Sequence, residues 1–240
     1  MLKLDILVIS VHPDDAELGC GGTILKHVAA GKKVGIVDLT RGELGTRGSA
    51  EIRIKEATEA ARILGLSVRE NLGLPDGFFQ NTREYQLKVI EAIRKYQPEI
   101  VITNALRDRH PDHGRANELV ETSAFLSGLR KVETYFNGEL QMEWRPALVL
   151  HFIQDYHIKP DFVVDVTAYW DKKIESIFAY GSQFHNPEWE DEPQTYISSP
   201  DFVQGIEARA IEFGKNIRVK YAEGFTSKKI LGVESLFDLK

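Results

Sequence analysis

The stretch Leu4-Asp5-Ile6-Leu7-Val8-Ile9-Ser10-Val11-His12-Pro13-Asp14-Asp15 decides the fold of this 240-residue chain. Its first eight residues are almost all apolar, which is typical of a strand buried on both faces of a parallel sheet. A tetrapeptide of histidine, proline and two aspartates follows directly where the strand ends. Because ligands of parallel sheets bind at the carboxyl ends of the strands, this tetrapeptide lies where a site is expected.

A matching tetrapeptide, His110-Pro111-Asp112-His113, follows a second apolar run at residues 100–105 and a short basic loop. One such tetrapeptide is usually only a turn, in which proline sets φ and aspartate caps the next helix. Two copies at the ends of two strands favour one shared site over two unrelated turns.

Apolar strands alternate with amphipathic helices along the chain. The predicted strands and helices are strand 4–11, helix 17–30, strand 34–39, helix 50–64, strand 68–74, helix 84–96, strand 98–103, helix 114–127, strands 147–153 and 162–166, and helices 169–180 and 202–221. Right-handed crossovers then give an α/β, Rossmann-like three-layer sandwich, with a mostly parallel sheet of order 3-2-1-4-5. In this order the first and fourth strands are neighbours, so the two tetrapeptides lie side by side.

The length and composition limit the possible domain organisation and the possible classes of binding partner. With 42% hydrophobic residues, residues 1–240 can form a single domain, divided into a Rossmann-like body at 1–170 and a C-terminal helical and loop extension at 171–240. A net charge of -6 argues against nucleic acid as the main partner.

The stretch 183–200, with its prolines and aromatic residues, is predicted to be a surface loop that covers a site or forms an interface.

The single cysteine, Cys20, excludes an internal disulfide and fits a reducing compartment. The N-terminal apolar run contains Asp5, has no small-residue cleavage site and is too short to cross a bilayer. We therefore expect a cytoplasmic protein without a membrane partner.

The two tetrapeptides contain a set of zinc ligands. A catalytic zinc site uses three protein ligands and keeps a position open for water, and His12, Asp15 and His113 supply two imidazoles and one carboxylate. The tight turn makes it difficult for Asp14 to bind the same ion, which leaves Asp14 free to accept a proton from the attacking water. We therefore predict one divalent ion per chain.

His110 lies three residues before His113 and is predicted to face the substrate, with Asp112 orienting and charging its ring. The loop at residues 40–48 follows the second strand and reaches the same edge of the sheet. Its Glu43 and Arg47, together with Arg53 in the next helix, are candidate contacts for a polyol or a carboxylate. For each arginine the alternative is an ordinary solvated surface position.

Gly19-Cys20-Gly21-Gly22 invites a dinucleotide-binding interpretation, but the required third glycine is replaced by Ile24, and the cluster lies a turn into the helix. Close packing of this helix on the sheet is the preferred interpretation. Cys20 is accordingly predicted to be a small buried residue.

The chain resembles the LmbE/PIG-L-like zinc deacetylases of N-acetylglucosamine derivatives, through His12-Pro13-Asp14-Asp15, Thr40-Arg41-Gly42-Glu43 and His110-Pro111-Asp112-His113. The resemblance covers residues 1–170, and the C-terminal part is similar to the subgroup that deacetylates N-acetylglucosaminyl-malate on the route to bacillithiol. It implies zinc ligation by the three predicted ligands, Asp14 as general base and His110 as acid or oxyanion stabiliser. It also implies a homohexamer. For a malate aglycone we expect Arg53 first and Arg109 second to bind the carboxylates.

Three alternatives stay open. The first is deacetylation of another N-acetylglucosaminide, such as a chitooligosaccharide. The second is a metal-dependent phosphoesterase, which favours two metals and more bridging carboxylates. The third is a non-catalytic sugar-binding module, in which Asp14 would have no role.

Overall fold

The computed structural model describes residues 2–189 and 191–239. A mixed sheet lies between two layers of helices, which is the α/β arrangement that the alternating pattern predicts. Its larger elements in chain order are β1 (Ile6–Ser10), α1 (Asp15–Ala29), β2 (Val34–Thr40), α2 (Ala50–Leu64), β3 (Val68–Leu74), α3 (Arg83–Tyr96), β4 (Ile100–Thr103), α4 (Pro111–Leu126), β5 (Tyr135–Phe136), β6 (Glu139–Leu140), β7 (Leu148–Phe152), β8 (Phe162–Asp165), α5 (Trp170–Phe178), α6 (Phe202–Asn216) and β9 (Ala222–Thr226).

The seven-stranded sheet has the order β3-β2-β1-β4-β7-β9-β8. Its first five strands are parallel and follow the predicted order, with β7 as the fifth strand. The order differs from the prediction beyond β7, because β9 lies antiparallel between β7 and β8. The sequence reasoning assigned no strand to β9, whose Glu223 and Gly224 interrupt the apolar pattern of a buried strand.

The predicted helix 202–221 is shorter in the structure and ends at Asn216. Arg218 has a φ of 60°, so the chain reverses there before it enters β9. The short antiparallel pair β5 and β6, joined by Asn137-Gly138, was not predicted either. Such a two-residue Asn-Gly turn is typical of a hairpin, but two-residue strands are too short to give a readable alternation.

Alternate residues of β1 supply the two faces of the core. Leu7 and Ile9 pack with α3 and α4 on one face, while Ile6 and Val8 pack with α1 on the other. The helices α5 and α6 add a third apolar cluster around Trp170. The C-terminal part is thereby packed against the body of the domain.

The glycines of α1 pack closely against the sheet side of the molecule, as predicted. A Cβ atom at Gly19 would lie 2.2 Å from Phe152 Cδ2, and one at Gly22 would lie 2.7 Å from Val166 Cβ. Cys20 between them is fully buried. No other residue type fits at Gly19 without displacement of its neighbour.

Among the described residues, every helix is too short or too polar to cross a bilayer.

Candidate active site

The loops that follow β1, β2, β3, β4 and β7 meet at one edge of the sheet and line a cavity of about 580 Å³. This edge is where the carboxyl ends of the parallel strands lie. The two tetrapeptides are adjacent here because β1 pairs with β4. The ring centroids of His12 and His110 are 4.7 Å apart, and those of His110 and His113 are 5.3 Å apart.

The Asp15 carboxylate lies between two of the predicted ligands. Its Oδ1 is 3.3 Å from His113 Nε2, and its Oδ2 is 3.5 Å from His12 Nδ1. Gln154 Nε2 donates to Oδ1 at 2.7 Å, and Asn104 Nδ2 donates to Oδ2 at 3.2 Å. Both amides hold the carboxylate in place, and sequence reasoning identified neither.

Each of the two imidazoles has a second carboxylate partner. Asp76 Oδ1 lies 2.9 Å from His12 Nε2, and Asp108 Oδ2 lies 2.7 Å from His113 Nδ1. Sequence reasoning missed both aspartates, although each follows a strand, β3 or β4, at the edge where the site was expected. The position alone was a usable signal for both.

These carboxylates control the charge of the imidazoles. Burial alone lowers the pKa of His12, but the hydrogen bonds and charges of Asp15 and Asp76 outweigh burial and raise this pKa to about 10. Burial likewise opposes ionisation of His113, yet Asp15 and Asp108 raise its pKa to about 9. The three carboxylates therefore favour a cation at this place, either a proton on each ring or a metal ion between them.

The donor set fits a divalent metal ion, and its imidazoles and carboxylate are ligand types that zinc takes. Ring nitrogens of His12, His110 and His113 lie within 4.8 Å of one another, and the Asp15 carboxylate adjoins two of these rings. Asp108 on His113 Nδ1 leaves Nε2 directed at Asp15, which is the usual partner arrangement of a zinc-binding histidine. A second group, His12, Asp76 and Asp112, also has ligand atoms within 4.8 Å of one another.

Asp14 lies beside this cluster in an unusual backbone conformation, with a φ of 129°. Its carboxylate accepts a hydrogen bond from Arg53 Nη2, which also donates to the Pro13 carbonyl at 3.0 Å. Burial raises the pKa of Asp14 to about 7, and the Arg53 charge opposes that rise. A pKa near neutrality suits a group that accepts and returns a proton.

His110 is the N-cap of α4, and its Nδ1 accepts the backbone N–H of Asp112 at 3.3 Å. The Asp112 carboxylate does not orient the His110 ring as we predicted, because both of its oxygens are engaged elsewhere. Oδ2 accepts the Gly77 N–H at 2.7 Å, and Oδ1 pairs with Arg115. Burial, together with the charges of His12 and His113, lowers the pKa of His110 to about 4.

The four predicted substrate contacts lie in different environments. Arg53 lines the cavity but is buried and bonded to Asp14, so its guanidinium is not free at the mouth as we expected. Arg109 also lines the cavity, and its Nε pairs with Asp155 at 2.8 Å. Glu43 and Arg47 are not among the residues that line the cavity.

Glu43 and Arg47 support neighbouring loops instead. Glu43 Oε1 accepts the backbone N–H of Asp76 at 2.9 Å, so it holds the loop that carries the partner of His12. Arg47 Nη2 donates to the Trp189 carbonyl at 2.9 Å and ties the stretch 183–200 to the body.

Described residues of the stretch 183–200 line the cavity, including Gln183 and Tyr196. The Arg109 guanidinium lies 4.4 Å from the centre of the Tyr196 ring, a cation–π contact. Arg209 from α6 also lines the cavity and donates to the Asp155 carbonyl at 2.8 Å. Two arginines therefore flank Asp155 at this end of the cavity, and sequence reasoning did not identify Arg209.

Residues 7–124 match the family model described as PIG-L: GlcNAc-PI de-N-acetylase. The chain is 30% identical to the diacetylchitobiose deacetylase of Thermococcus kodakarensis, over 91% of this chain and 81% of that protein. The chain belongs to the PIG-L family. Its members include de-N-acetylases, which are hydrolases that cleave an amide bond, and the resemblance predicted from the tetrapeptides is confirmed.

Two further relatives differ from each other in their named activities. The chain is 29% identical to the 4-oxalmesaconate hydratase of Pseudomonas putida, over 92% of this chain and 88% of that protein. It is 28% identical to a probable N-acetyl-α-D-glucosaminyl L-malate deacetylase 2 of Bacillus anthracis, over 75% of this chain and 81% of that protein. Among solved structures, the conserved protein TT1542 of Thermus thermophilus has a TM-score of 0.85 and 38% identity, with 96% of this chain and 98% of that chain covered.

Proposed function

We propose that this protein is a zinc-dependent deacetylase that removes the N-acetyl group from an N-acetylglucosamine derivative. The observation that carries the proposal is the Asp15 carboxylate between His12 and His113, with the buried Asp14 beside it in the cavity. Two imidazoles and one carboxylate are the ligand types of a hydrolytic zinc site. Membership of a de-N-acetylase family supports the same reaction.

His12, Asp15 and His113 would hold the zinc ion, which supplies polarisation of the acetyl carbonyl and a lower pKa for the attacking water. Asp14 accepts the proton of this water, since its raised pKa makes it a base of suitable strength near neutral pH. Arg53 keeps the Asp14 carboxylate oriented through its hydrogen bonds to Asp14 and Pro13.

His110 is the proposed donor to the substrate. Because its Nδ1 accepts the Asp112 N–H, the proton of the neutral ring resides on Nε2. We assign this N–H to a hydrogen bond with the developing charge on the carbonyl oxygen, and the proton that Asp14 accepts from the water passes to the departing amine. Asp112 acts indirectly, by holding the Gly77 N–H and Arg115 at the start of α4.

For the substrate we propose an anionic aglycone, with malate preferred, as on the route to bacillithiol. Arg109 and Arg209 support this choice, because they flank Asp155 at one end of the cavity and a guanidinium pairs well with a carboxylate. We do not assign Arg53 to the aglycone, because its guanidinium is buried and pairs with Asp14 beside the proposed metal ligands. Glu43 and Arg47 act through the loops that they hold.

The test is deacetylation of N-acetylglucosaminyl-malate, N,N'-diacetylchitobiose and N-acetylglucosamine, each with and without a chelator, together with a count of zinc per chain. We expect activity that the chelator abolishes, and one zinc ion per chain. Absence of acetate release from all three compounds would refute the proposal, and two ions per chain would favour a phosphoesterase. A parallel assay of water addition to 4-oxalmesaconate covers the activity of the hydratase relative.

Arg109→Met and Arg209→Met test the aglycone. Each should lower kcat/KM on the malate substrate roughly ten- to a hundred-fold, because one charge-assisted contact is lost. The loss on N-acetylglucosamine, which has no carboxylate, should be small. Equal losses on both compounds would assign the arginines to the fold rather than to the aglycone.

We also propose a cytoplasmic homo-oligomer, with the hexamer as the expected form. Support comes from the apolar residues of the C-terminal segment 228–239, where Ile230 is 94% and Phe237 is 97% exposed. Leu231, Val233, Leu236 and Leu239 of the same segment are exposed as well, and a concentration of apolar side chains on the surface is typical of a protein–protein interface. Light scattering in solution gives the number of chains, and a monomer at micromolar concentration would refute the assembly.

A further inference from the structure

The helix α1 is broken at Cys20, within the glycine-rich stretch that the proposed reaction does not use. Cys20 has φ and ψ of -146° and 20°, which are not helical values. In a regular α-helix the N–H of Gly22 would donate to the carbonyl of Leu18, four residues earlier. In this structure the donor and the acceptor both have partners from other elements.

A buried ion pair supplies these partners. Lys173 Nζ of α5 donates to the Leu18 carbonyl at 2.9 Å. Glu223 of β9 accepts from the Gly22 N–H at 2.9 Å and from the Thr23 N–H at 2.7 Å. Lys173 Nζ and Glu223 Oε1 are 2.6 Å apart. The ion pair therefore replaces the backbone hydrogen bond that would join the two halves of α1.

The pair is difficult to explain by stability alone. The side chains of Lys173 and Glu223 are 2% and 3% exposed, and removing two charges from water costs free energy that their attraction only partly returns. Well-packed apolar residues in place of a buried ion pair are often neutral or stabilising. A role in conformation is therefore the better explanation of this pair.

The half of α1 before the break carries the site. It begins at Asp15, the carboxylate between the two predicted histidine ligands, and ends at Gly19 against Phe152. A continuous helix would give this half a different direction from the one it has now, because the two halves would share one axis. The position of Asp15 thus depends on the break that Lys173 and Glu223 stabilise.

We propose that Lys173 and Glu223 are positioning residues that keep α1 broken at Cys20 and so hold Asp15 in the geometry of the metal site. This inference rests on the proposed zinc site. Neither residue touches the cavity, so both act through the backbone of residues 18–23.

The test compares the wild-type protein with Lys173→Met/Glu223→Leu, which replaces both charges with apolar side chains. We expect the zinc-free double variant to unfold at the same denaturant concentration as wild type or at a higher one. Its zinc affinity, measured by competition with a chelating dye, should fall about tenfold or more, the size of loss typical of an altered ligand support. The HN–Hα coupling of Cys20 should change from the large value of an extended φ to the small value of a helix.

Glu223→Gln is the second variant, and it tests the positioning role if the double variant does not fold. It keeps the size of the side chain and one acceptor oxygen, so it should fold and lose less zinc affinity, in the same direction. Arg94→Met is the matched control, because Arg94 is also a buried cation that donates to backbone carbonyls, at Ser127, Leu129 and Val132. It should lower stability and leave zinc affinity unchanged.

Wild-type zinc affinity in a folded double variant, or in Glu223→Gln, would overturn the positioning role. Failure of the wild-type protein itself to bind zinc would instead refute the proposed function. The two failures are thus distinguishable in one titration series.

Discussion

At the scale of single residues, the site is a set of ionisable groups whose charges depend on their neighbours. Asp15 and Asp14 are adjacent in sequence, yet one carboxylate lies between two imidazoles and the other pairs with Arg53. As a result the pKa of Asp14 rises while that of Asp15 stays well below its usual value. Neighbouring carboxylates with separated pKa values are a common basis for divided roles in hydrolytic enzymes.

His113→Ala should remove most of the bound zinc and the activity together, because two remaining ligands cannot hold a catalytic ion tightly. Zinc content is measured by atomic emission on protein purified from zinc-supplemented medium. His157→Ala, an exposed histidine outside the cavity lining, is the control and should keep its zinc. Full zinc occupancy in His113→Ala would exclude His113 from the ligand set.

Asp14→Asn should keep the zinc ion and lower turnover by roughly 10²–10⁴-fold, the range for loss of a positioned general base. Asn is the suitable replacement because, like Asp, it is among the non-glycine residues that most readily adopt a positive φ. Steady-state kinetics and zinc content are measured on the same preparation. Turnover close to wild type with intact zinc would show that another group takes the proton.

At the scale of elements, the shape of α1 depends on glycines as well as on the ion pair. Gly19 lies against Phe152 of β7, and Gly22 lies against Val166. These contacts let the helix approach the sheet and bring Asp15 to the ends of β1 and β4. The packing and the site are therefore linked through one helix.

Gly19→Ala should destabilise the protein by about 1–3 kcal/mol, because the added methyl group overpacks against the Phe152 ring. The free energy of unfolding is measured with urea. Gly205→Ala in α6 is the control, since a Cβ atom there meets no atom within 4 Å, and a gain of up to about 1 kcal/mol is expected from helix propensity.

A second change separates overpacking from other effects. Phe152→Leu makes room beside residue 19, so Gly19→Ala should cost less in that background than in wild type. Equal costs in both backgrounds would show that the contact with Phe152 is not the reason.

At the scale of the whole molecule, the cavity combines loops from five strands with the stretch 183–200 and α6. The C-terminal extension therefore forms part of the site and does more than cover the body. Beyond β9 the chain continues as segment 228–239, whose residues are all exposed in the single chain.

Phe237→Ser combined with Ile230→Ser should shift the assembly toward smaller species, because both side chains are almost fully exposed in the single chain. Multi-angle light scattering measures the mass, and circular dichroism checks that the fold is kept. Phe78→Ser is the control, as Phe78 is 73% exposed but lies in a different part of the chain. An unchanged mass in the double variant would place the interface elsewhere.

The sequence by itself determined the parallel core and the edge at which the site lies. Strand and helix periodicities are local properties, and a histidine-proline-aspartate turn after an apolar strand is visible without any partner. The crossover rule then placed β1 beside β4, so the proximity of His12, Asp15 and His113 followed from local patterns and one rule of handedness.

Only the tertiary structure decided which polar groups pair within that edge. Asp76 and His12 pair although they are 64 residues apart in the sequence, and Arg53 and Asp14 pair although they are 39 residues apart. Both pairings depend on the paths of loops, which have no periodic sequence pattern. The same applies to Arg209, and to β9, which takes its place between β7 and β8 by pairing antiparallel with both. Long-range pairing is selected by the packing of the whole chain, because a polar side chain buried without a partner costs free energy wherever its partner lies in the sequence.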